Sequence, residues 1–198
     1  MTKIIWIDLD EVLAETLDQI LKDNNYKLWN IETSREDILD YYIFNNKKLN
    51  ITLEDGTKYF HQVYLNDTAL NIEVVAWAKQ KIIELKDKWY TLKIVSARPE
   101  DVANYTRKWL DKHFNDIFYS VHFANHFNYS WSEKKKRKKS EICKELWITI
   151  MVEDIFEYAL DLAENWVYTY LLEKPWNKHI NIKHKNIKRV MSWEEINI

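Results

Sequence analysis

Two acidic residues near the start of the chain have the spacing of a paired carboxylate site. Asp8 and Asp10 lie at the end of a short apolar run that begins at Ile4, and this run predicts a buried strand at about residues 3–8. Side chains two residues apart point the same way along a strand, and in a turn at its carboxyl end they can converge on one small volume. Two carboxylates placed there repel one another unless a cation lies between them. Oxygen ligands of this kind suit Mg²⁺, although the same pattern is also compatible with a strand end that caps a helix.

Further polar residues follow apolar runs later in the chain. Predicted strands at 91–96 and 149–153 both end in polar side chains, and a predicted helix at 140–146 begins after a lysine. Ligands of open α/β sheets bind outside the carboxyl ends of the strands, so residues at those ends are expected to form one site. The candidate residues are Ser96, Arg98, Lys139, Glu153 and Asp154.

Together these segments resemble the four motifs of the haloacid dehalogenase-like phosphohydrolases, in the order of that family. Residues 8–12 (DLDEV) are similar to the first motif, and residues 92–98 (LKIVSAR) are similar to the second. Residues 139–142 (KSEI) and 150–154 (IMVED) are similar to the third and fourth. The resemblance covers roughly the whole chain. Within the family, the stretches DEVLAET, VSARPE and VEDxxEYAL look most like the cytosolic 5′(3′)-deoxyribonucleotidase type.

The resemblance implies specific roles for the four acidic residues. Asp8 would be the nucleophile that takes the phosphoryl group as an aspartyl-phosphate, and Asp10 would be the general acid and then the general base. The predicted Mg²⁺ ligands are Asp8, Asp10 and Asp154, with Asp10 contributing its backbone carbonyl. Glu153 is the weaker metal candidate and would contact these ligands rather than the metal itself.

Three further residues would bind the phosphate group. By resemblance, Ser96 would donate to a phosphate oxygen, and Arg98 would reach the phosphate or a nucleotide, unless it forms an exposed ion pair. Lys139 would neutralise charge on the phosphate and on the nucleophile, because phosphoryl transfer depends mainly on positioning and electrostatic stabilisation. Lys138 is the alternative lysine, since both belong to the basic run 134–139.

The order of elements predicts an α/β fold. Strand and helix patterns alternate, which indicates a parallel sheet with helices on both faces. The resemblance implies a haloacid dehalogenase-like Rossmannoid sheet with a small helical cap inserted after the first strand. We predict that residues 1–14 and 72–198 form the core domain and that residues 15–71 form the cap. The flanking helices are predicted at 12–24 and 72–88.

Composition limits the classes of protein to consider. The chain has 198 residues, of which 46 % are apolar, enough for one core domain with a small insertion. A net charge of −2 gives no general attraction to nucleic acid or a membrane. The lone Cys143 indicates a reducing compartment. No signal-peptide pattern or apolar stretch of about 18 residues is present, so we expect a cytoplasmic protein without a membrane span.

Three functions are compatible with these features. The first is a Mg²⁺-dependent phosphomonoesterase acting on a nucleoside monophosphate, with cap tyrosines near the base. The second keeps this chemistry but acts on a sugar phosphate or another small phosphoester. The third is a non-catalytic nucleic-acid-binding protein that uses the basic residues 133–139, although a short basic cluster on a near-neutral chain is typical of a solvated surface.

The glycine and tryptophan content is abnormal. The chain has one glycine and ten tryptophans, whereas globular chains average about 7 % glycine. Several tryptophans follow helical patterns, at the position where glycine is favoured because the backbone often turns left-handed. We hypothesise that the source organism reads UGA as glycine and that these codons are read here as tryptophan. The helix-end positions are Trp89, Trp147 and Trp166, and the family resemblance implies glycine also at Trp6, Trp29, Trp77 and Trp131. The alternative is a tryptophan-rich protein with unusual helix ends.

Overall fold

A computed structural model describes residues 3–24, 33–42, 45–46, 52–126 and 135–198. At its centre is a parallel sheet whose strands are β1 (Ile4–Ile7), β2 (Thr91–Ser96), β3 (Ser120–Phe123), β4 (Ile150–Glu153), β5 (Tyr168–Leu172) and β6 (Ile187–Val190). The order across the sheet is β3-β2-β1-β4-β5-β6, and all neighbouring pairs are parallel. The predicted α/β fold with a parallel sheet is therefore confirmed.

Helices connect the strands. In the described residues they are α1 (Thr16–Asn24), α2 (Leu53–Tyr64), α3 (Ala78–Asp87), α4 (Ala103–Phe114), α5 (Lys139–Glu145) and α6 (Phe156–Glu164). Short 3₁₀ helices lie at Arg35–Asp37, Asp67–Asn71, Glu100–Val102 and Trp193–Glu195. The start of α2 shows why the chain becomes helical there, because the Thr52 side chain accepts from the Asp55 backbone N–H and the Asp55 carboxylate accepts in return.

Two helix starts differ from the predictions. The predicted helix 12–24 begins only at Thr16, because residues 11–13 form a turn and Ala14 forms β-bridges with Asp10 and Val74. The predicted helix 72–88 begins only at α3, because Trp77 has a φ of 64°, which a right-handed helix cannot include. Apolar periodicity continues across both turns, so the pattern alone does not reveal them.

The segment between β1 and α3 contains α1 and α2 and corresponds to the predicted cap. Ala14 forms an antiparallel bridge with Val74, and the Val75 N–H donates to the Leu13 carbonyl at 2.9 Å. The chain thus leaves the sheet region and returns to it at adjacent places. We call residues 15–71 the cap segment, and its boundaries as a separate domain stay a prediction.

The core lies on both faces of the sheet. Ile5 and Ile7 on β1 are fully buried in one apolar cluster, and Trp6 between them is fully buried in another. This alternation follows from the period of two along a strand, with helices covering both faces of a parallel sheet. In the part of the chain that the structure describes, no helix is long and apolar enough to cross a bilayer.

The tryptophans at predicted glycine positions have unusual backbone angles. Trp29 and Trp131 lie outside the described residues, and Trp6 belongs to β1. The other four are left-handed: Trp77 with φ 64°, Trp89 with φ 64°, Trp147 with φ 54° and Trp166 with φ 67°. A positive φ is a strained conformation for a bulky residue, as expected at sites where glycine belongs.

Candidate active site

Three buried carboxylates meet at the carboxyl ends of β1 and β4. Asp8 directly follows β1, and its backbone N–H donates to the Val152 carbonyl of β4 at 3.0 Å. Glu153 ends β4 and Asp154 follows it. One oxygen from each of the three carboxylates lies within 4.8 Å of the other two. Neighbouring parallel strands end at the same edge of the sheet, which brings these two distant segments together.

The cluster fits a divalent cation. Within the described residues, Asp154 Oδ1 is buried and has no hydrogen-bond partner, and Asp8 Oδ1 is buried with an ion pair to Lys139. Burial, partly offset by Lys139 and reinforced by Glu153, raises the pKa of Asp8 to about 8. Burial and the charges of Glu153 and Asp8 also raise the pKa of Asp154 well above its usual range. A cation between Asp8 and Asp154 would relieve this repulsion, and an all-oxygen donor set suits Mg²⁺.

Lys139 provides the positive charge within the cluster. Its buried Nζ lies 2.9 Å from Asp8 Oδ1 and 2.7 Å from Glu153 Oε2. These two carboxylates outweigh the effect of burial and raise the pKa of Lys139, so it remains protonated. By contrast, Lys138 is exposed and its Nζ lies 3.9 Å from Asp161. The structure therefore brings Lys139, rather than Lys138, to the carboxylates.

Glu153 has both oxygens engaged by the protein. Its Oε2 accepts from Lys139, and its Oε1 accepts from the backbone N–H groups of Asp154 and Ile155 at 3.1 and 3.3 Å. These contacts shape the turn after β4 and orient the lysine. The geometry thus places Glu153 beside the cluster as a support for its neighbours.

The side chain of Asp10 is bound by Arg98 and Thr16 and is not one of the three clustered carboxylates. Arg98 donates to it through Nε at 3.0 Å and Nη2 at 2.6 Å, and the Thr16 hydroxyl donates at 2.5 Å. Burial acts to raise the pKa of Asp10, but Arg98 outweighs it and the net shift is downward. Arg98 also donates to Thr106 at 3.0 Å and lies over the Tyr64 ring. The guanidinium of Arg98 was predicted to bind phosphate or a nucleotide, but in this arrangement it donates its hydrogen bonds to Asp10 and Thr106.

Ser96 lies at the same edge of the sheet. It is the last residue of β2, which neighbours β1, and it is fully buried. Its Oγ accepts the Arg98 backbone N–H at 3.1 Å. This contact forms a tight turn after β2 and points the Arg98 segment towards the acidic residues.

An arginine of the cap segment contacts the loop that carries the first motif. Arg35 forms ion pairs with Glu11 and Glu15, and a further pair with Asp18 at 2.9 Å. Glu11 also accepts the Leu17 backbone N–H at 2.6 Å and so anchors the start of α1. Sequence patterns gave no indication of this link, because the residues share no periodicity.

An open cavity adjoins the acidic cluster. Its floor includes Asp8, Asp10 and Asp154. Its walls are largely apolar, and residues of the cap segment contribute most of them. The principal apolar and aromatic wall residues are Ile38, Tyr41, Phe60, Tyr64 and Trp176.

Two neighbouring residues outside the four predicted motifs contact Asp154. The Trp176 indole N–H donates to Asp154 Oδ2 at 3.1 Å, and the Asn177 amide donates to the Asp154 backbone carbonyl at 2.7 Å. They belong to the segment that follows β5. Only the position of β5 beside β4 could have indicated the contact.

The described residues of the basic run 134–139 do not form one continuous patch of unpaired positive charge. Residues 133–134 lie outside the described part of the chain. Lys135, Lys136 and Lys138 are exposed, while Arg137 is paired with Glu145 at 2.6 Å. This arrangement is typical of a solvated surface and does not favour the nucleic-acid-binding alternative.

The fold is shared with solved structures. No family model matches the chain, and no curated protein does. A predicted phosphoglycolate phosphatase from Haemophilus somnus is 16 % identical, with 97 % of this chain and 95 % of that chain covered and a TM-score of 0.62. A predicted phosphatase from Clostridium acetobutylicum is 14 % identical, with 87 % and 85 % covered and a TM-score of 0.60. A haloacid dehalogenase superfamily hydrolase of subfamily IA from Geobacter sulfurreducens is 12 % identical, with 98 % and 97 % covered and a TM-score of 0.61.

The chain has the haloacid dehalogenase-like fold. At these identities the likeness establishes the fold alone, and the reaction must be argued from the site. None of the three structures is described as a nucleotidase, so the finer resemblance to the deoxyribonucleotidase type has no specific support from them.

Proposed function

We propose that this protein is a Mg²⁺-dependent phosphomonoesterase that uses Asp8 as its nucleophile and acts on a small phosphate ester. The observation that carries the proposal is the position of Asp8, buried directly after β1, with Lys139 Nζ 2.9 Å from its Oδ1 and an oxygen of Asp154 within 4.8 Å of one of its own. A carboxylate, a fixed cation and a divalent-ion site in one cavity match the needs of phosphoryl transfer.

The reaction would proceed in two displacements. An oxygen of Asp8 attacks phosphorus, the bond from phosphorus to the leaving oxygen breaks, and Asp10 gives that oxygen a proton. Water then attacks the aspartyl-phosphate, with Asp10 taking a proton from it, and Asp8 is regenerated. For the first step Asp10 must be protonated and must exchange its Arg98 contacts for the leaving oxygen.

Asp8 attacks only as a carboxylate, and its surroundings determine when that form is present. Burial raises the pKa of Asp8 to about 8, whereas Lys139 favours the charged form. Asp8 and Asp154, with the backbone carbonyl of Asp10, are the residues that would hold Mg²⁺. Bound Mg²⁺ would supply further positive charge for the nucleophile and for the phosphate oxygens.

We infer that the substrate is a sugar phosphate or another small phosphoester. Support comes from the solved structures of the same fold that are described as phosphatases, including one predicted phosphoglycolate phosphatase. A nucleoside monophosphate is the second candidate. It is favoured by the apolar and aromatic cavity wall, where Tyr41 and Phe60 could pack against a planar base.

Phosphate release from a panel of esters tests both the reaction and the substrate class. The panel contains phosphoglycolate, a hexose phosphate and a nucleoside monophosphate, each with Mg²⁺ and with EDTA. Asp8→Asn should reduce turnover by about 10³-fold or more while the fold is retained, because an amide cannot act as this nucleophile. Asp87→Asn, which changes an exposed acid on α3, is the matched control. Release that survives in Asp8→Asn would contradict the proposed nucleophile.

A cap variant separates the two substrate classes. If a base packs on the cavity wall, Phe60→Ala should lower kcat/KM for the nucleotide about 10-fold, the scale of one lost base–aromatic stacking contact. The same variant should change kcat/KM for the hexose phosphate much less. Equal losses for both esters would exclude a specific base contact at Phe60.

A further inference from the structure

The segment after β5 holds Asp154 at two points. Trp176, buried in the cavity wall, donates its indole N–H to Asp154 Oδ2 at 3.1 Å. The adjacent and fully buried Asn177 donates to the Asp154 backbone carbonyl at 2.7 Å and to the Leu172 carbonyl at 2.8 Å. Asp154 is thus restrained at its side chain by one residue and at its main chain by the next.

This restraint leaves the two oxygens of the Asp154 carboxylate in different situations. Oδ2 accepts the indole N–H, while Oδ1 is buried and has no hydrogen-bond partner among the described residues. An indole can only donate one hydrogen bond and carries no charge, so it fixes the carboxylate without neutralising it. Oδ1 is therefore the oxygen available to a cation shared with Asp8.

We propose that Trp176 is a positioning residue that turns Asp154 Oδ1 towards the cation. The inference rests on the proposed function, because it requires a divalent cation at Asp8 and Asp154. Groups that orient a metal ligand typically change metal affinity 10- to 100-fold when they are removed. The cost arises because the free carboxylate then rotates and its buried Oδ2 loses its partner.

Direct binding of Mn²⁺, measured by the electron paramagnetic resonance of the free ion, tests this role without substrate. Mn²⁺ shares the preference of Mg²⁺ for octahedral oxygen ligands. Trp176→Phe removes the N–H while keeping an aromatic ring, and should weaken binding by about 10-fold or more. Trp176→His restores a ring N–H at the equivalent ring position, and at about pH 8 its imidazole is uncharged. This variant should recover most of the affinity.

Trp109→Phe is the matched control. Trp109 is also buried and donates its indole N–H to the Ile72 carbonyl at 2.8 Å, away from the acidic cluster. Its substitution should lower the thermal midpoint without changing the Mn²⁺ affinity. A change in affinity of the same size in Trp109→Phe would show a general packing effect and would overturn the inference.

Four other outcomes would also decide the matter. Unchanged affinity in Trp176→Phe would overturn the positioning role, as would equally weak binding by the Phe and His variants, since the N–H would then be irrelevant. If Trp176→Phe does not fold, wild-type affinity in Trp176→His supports the role and weak binding contradicts it. Failure of the wild type itself to bind Mn²⁺ would refute the cation site of the proposed function, and the role of Trp176 with it.

Discussion

The tryptophans that follow α3, α5 and α6 should be less favourable than glycine at the same positions. Trp89, Trp147 and Trp166 have φ values of 64°, 54° and 67°. Their side chains are 87 %, 88 % and 80 % exposed, so the indoles contribute little burial to offset the backbone cost. Each follows the last turn of a helix, where a left-handed residue ends the helix and glycine does so without a Cβ clash.

The magnitude follows from comparing glycine with alanine at these sites. A left-handed backbone costs an L-residue roughly 1–2 kcal/mol, and glycine avoids this cost. Against this, glycine lowers the free energy of unfolding by about 0.4–1 kcal/mol relative to alanine, because it gives the unfolded chain more conformational entropy. The net advantage of glycine is about 0.7 kcal/mol per site, or about 2 kcal/mol for three independent sites. For a chain of this size that difference corresponds to roughly 4–8 °C in thermal midpoint.

The assay is thermal and urea unfolding of the triple Trp→Gly and triple Trp→Ala variants. The glycine variant should be more stable than the alanine variant. It should also be more stable than the parent, but by a smaller margin, because the indoles of the parent make some contacts that both variants lose. Lys108→Gly and Lys108→Ala on the exposed face of α4 provide the control, where glycine should be less stable by about 1 kcal/mol. A triple alanine variant as stable as the glycine variant would refute the argument. In the source gene, codons other than UGA at the seven tryptophan positions would refute recoding.

Three further predictions concern buried charges and the cysteine. Lys139→Met should lower the free energy of unfolding, measured in urea with EDTA, by about 3 kcal/mol, because the buried carboxylates lose their positive partner. The exposed Lys138→Met should have little effect, and equal losses in the two variants would contradict the buried ion pairs of Lys139. Arg35→Ala should lower the free energy of unfolding by about 1–3 kcal/mol in the same assay, because the buried Glu11 loses its ion pair. An unchanged free energy of unfolding would show that the contact is not formed in solution. Burial raises the pKa of the Cys143 thiol to about 12, so DTNB should label the folded protein slowly at about pH 8 and the urea-unfolded protein rapidly. Fast labelling of the folded protein would contradict this burial.

Local patterns were sufficient to predict the sheet and much of the order of the helices. Strands buried on both faces are continuous apolar runs, and most of the strands follow such a run or an alternating pattern, whereas β6 has apolar residues only at its two ends. The starts of α1 and α3 were predicted wrongly, because the turn at 11–13 with the bridged Ala14, and the left-handed Trp77, interrupt the helix without interrupting its apolar pattern. The exact start of a helix depends on backbone angles that side-chain periodicity does not encode.

The sequence by itself determined the candidate residues at strand ends, because a parallel sheet places those ends at one edge and the polar residues follow the apolar runs directly. Only the tertiary structure decided how those residues are used. It brings Asp10 to Arg98, places Glu153 beside Lys139, and supplies Trp176 as a partner for Asp154. Such contacts join residues far apart in the chain. They depend on side-chain direction and on which strands are neighbours, and neither has a local signature that a single sequence displays.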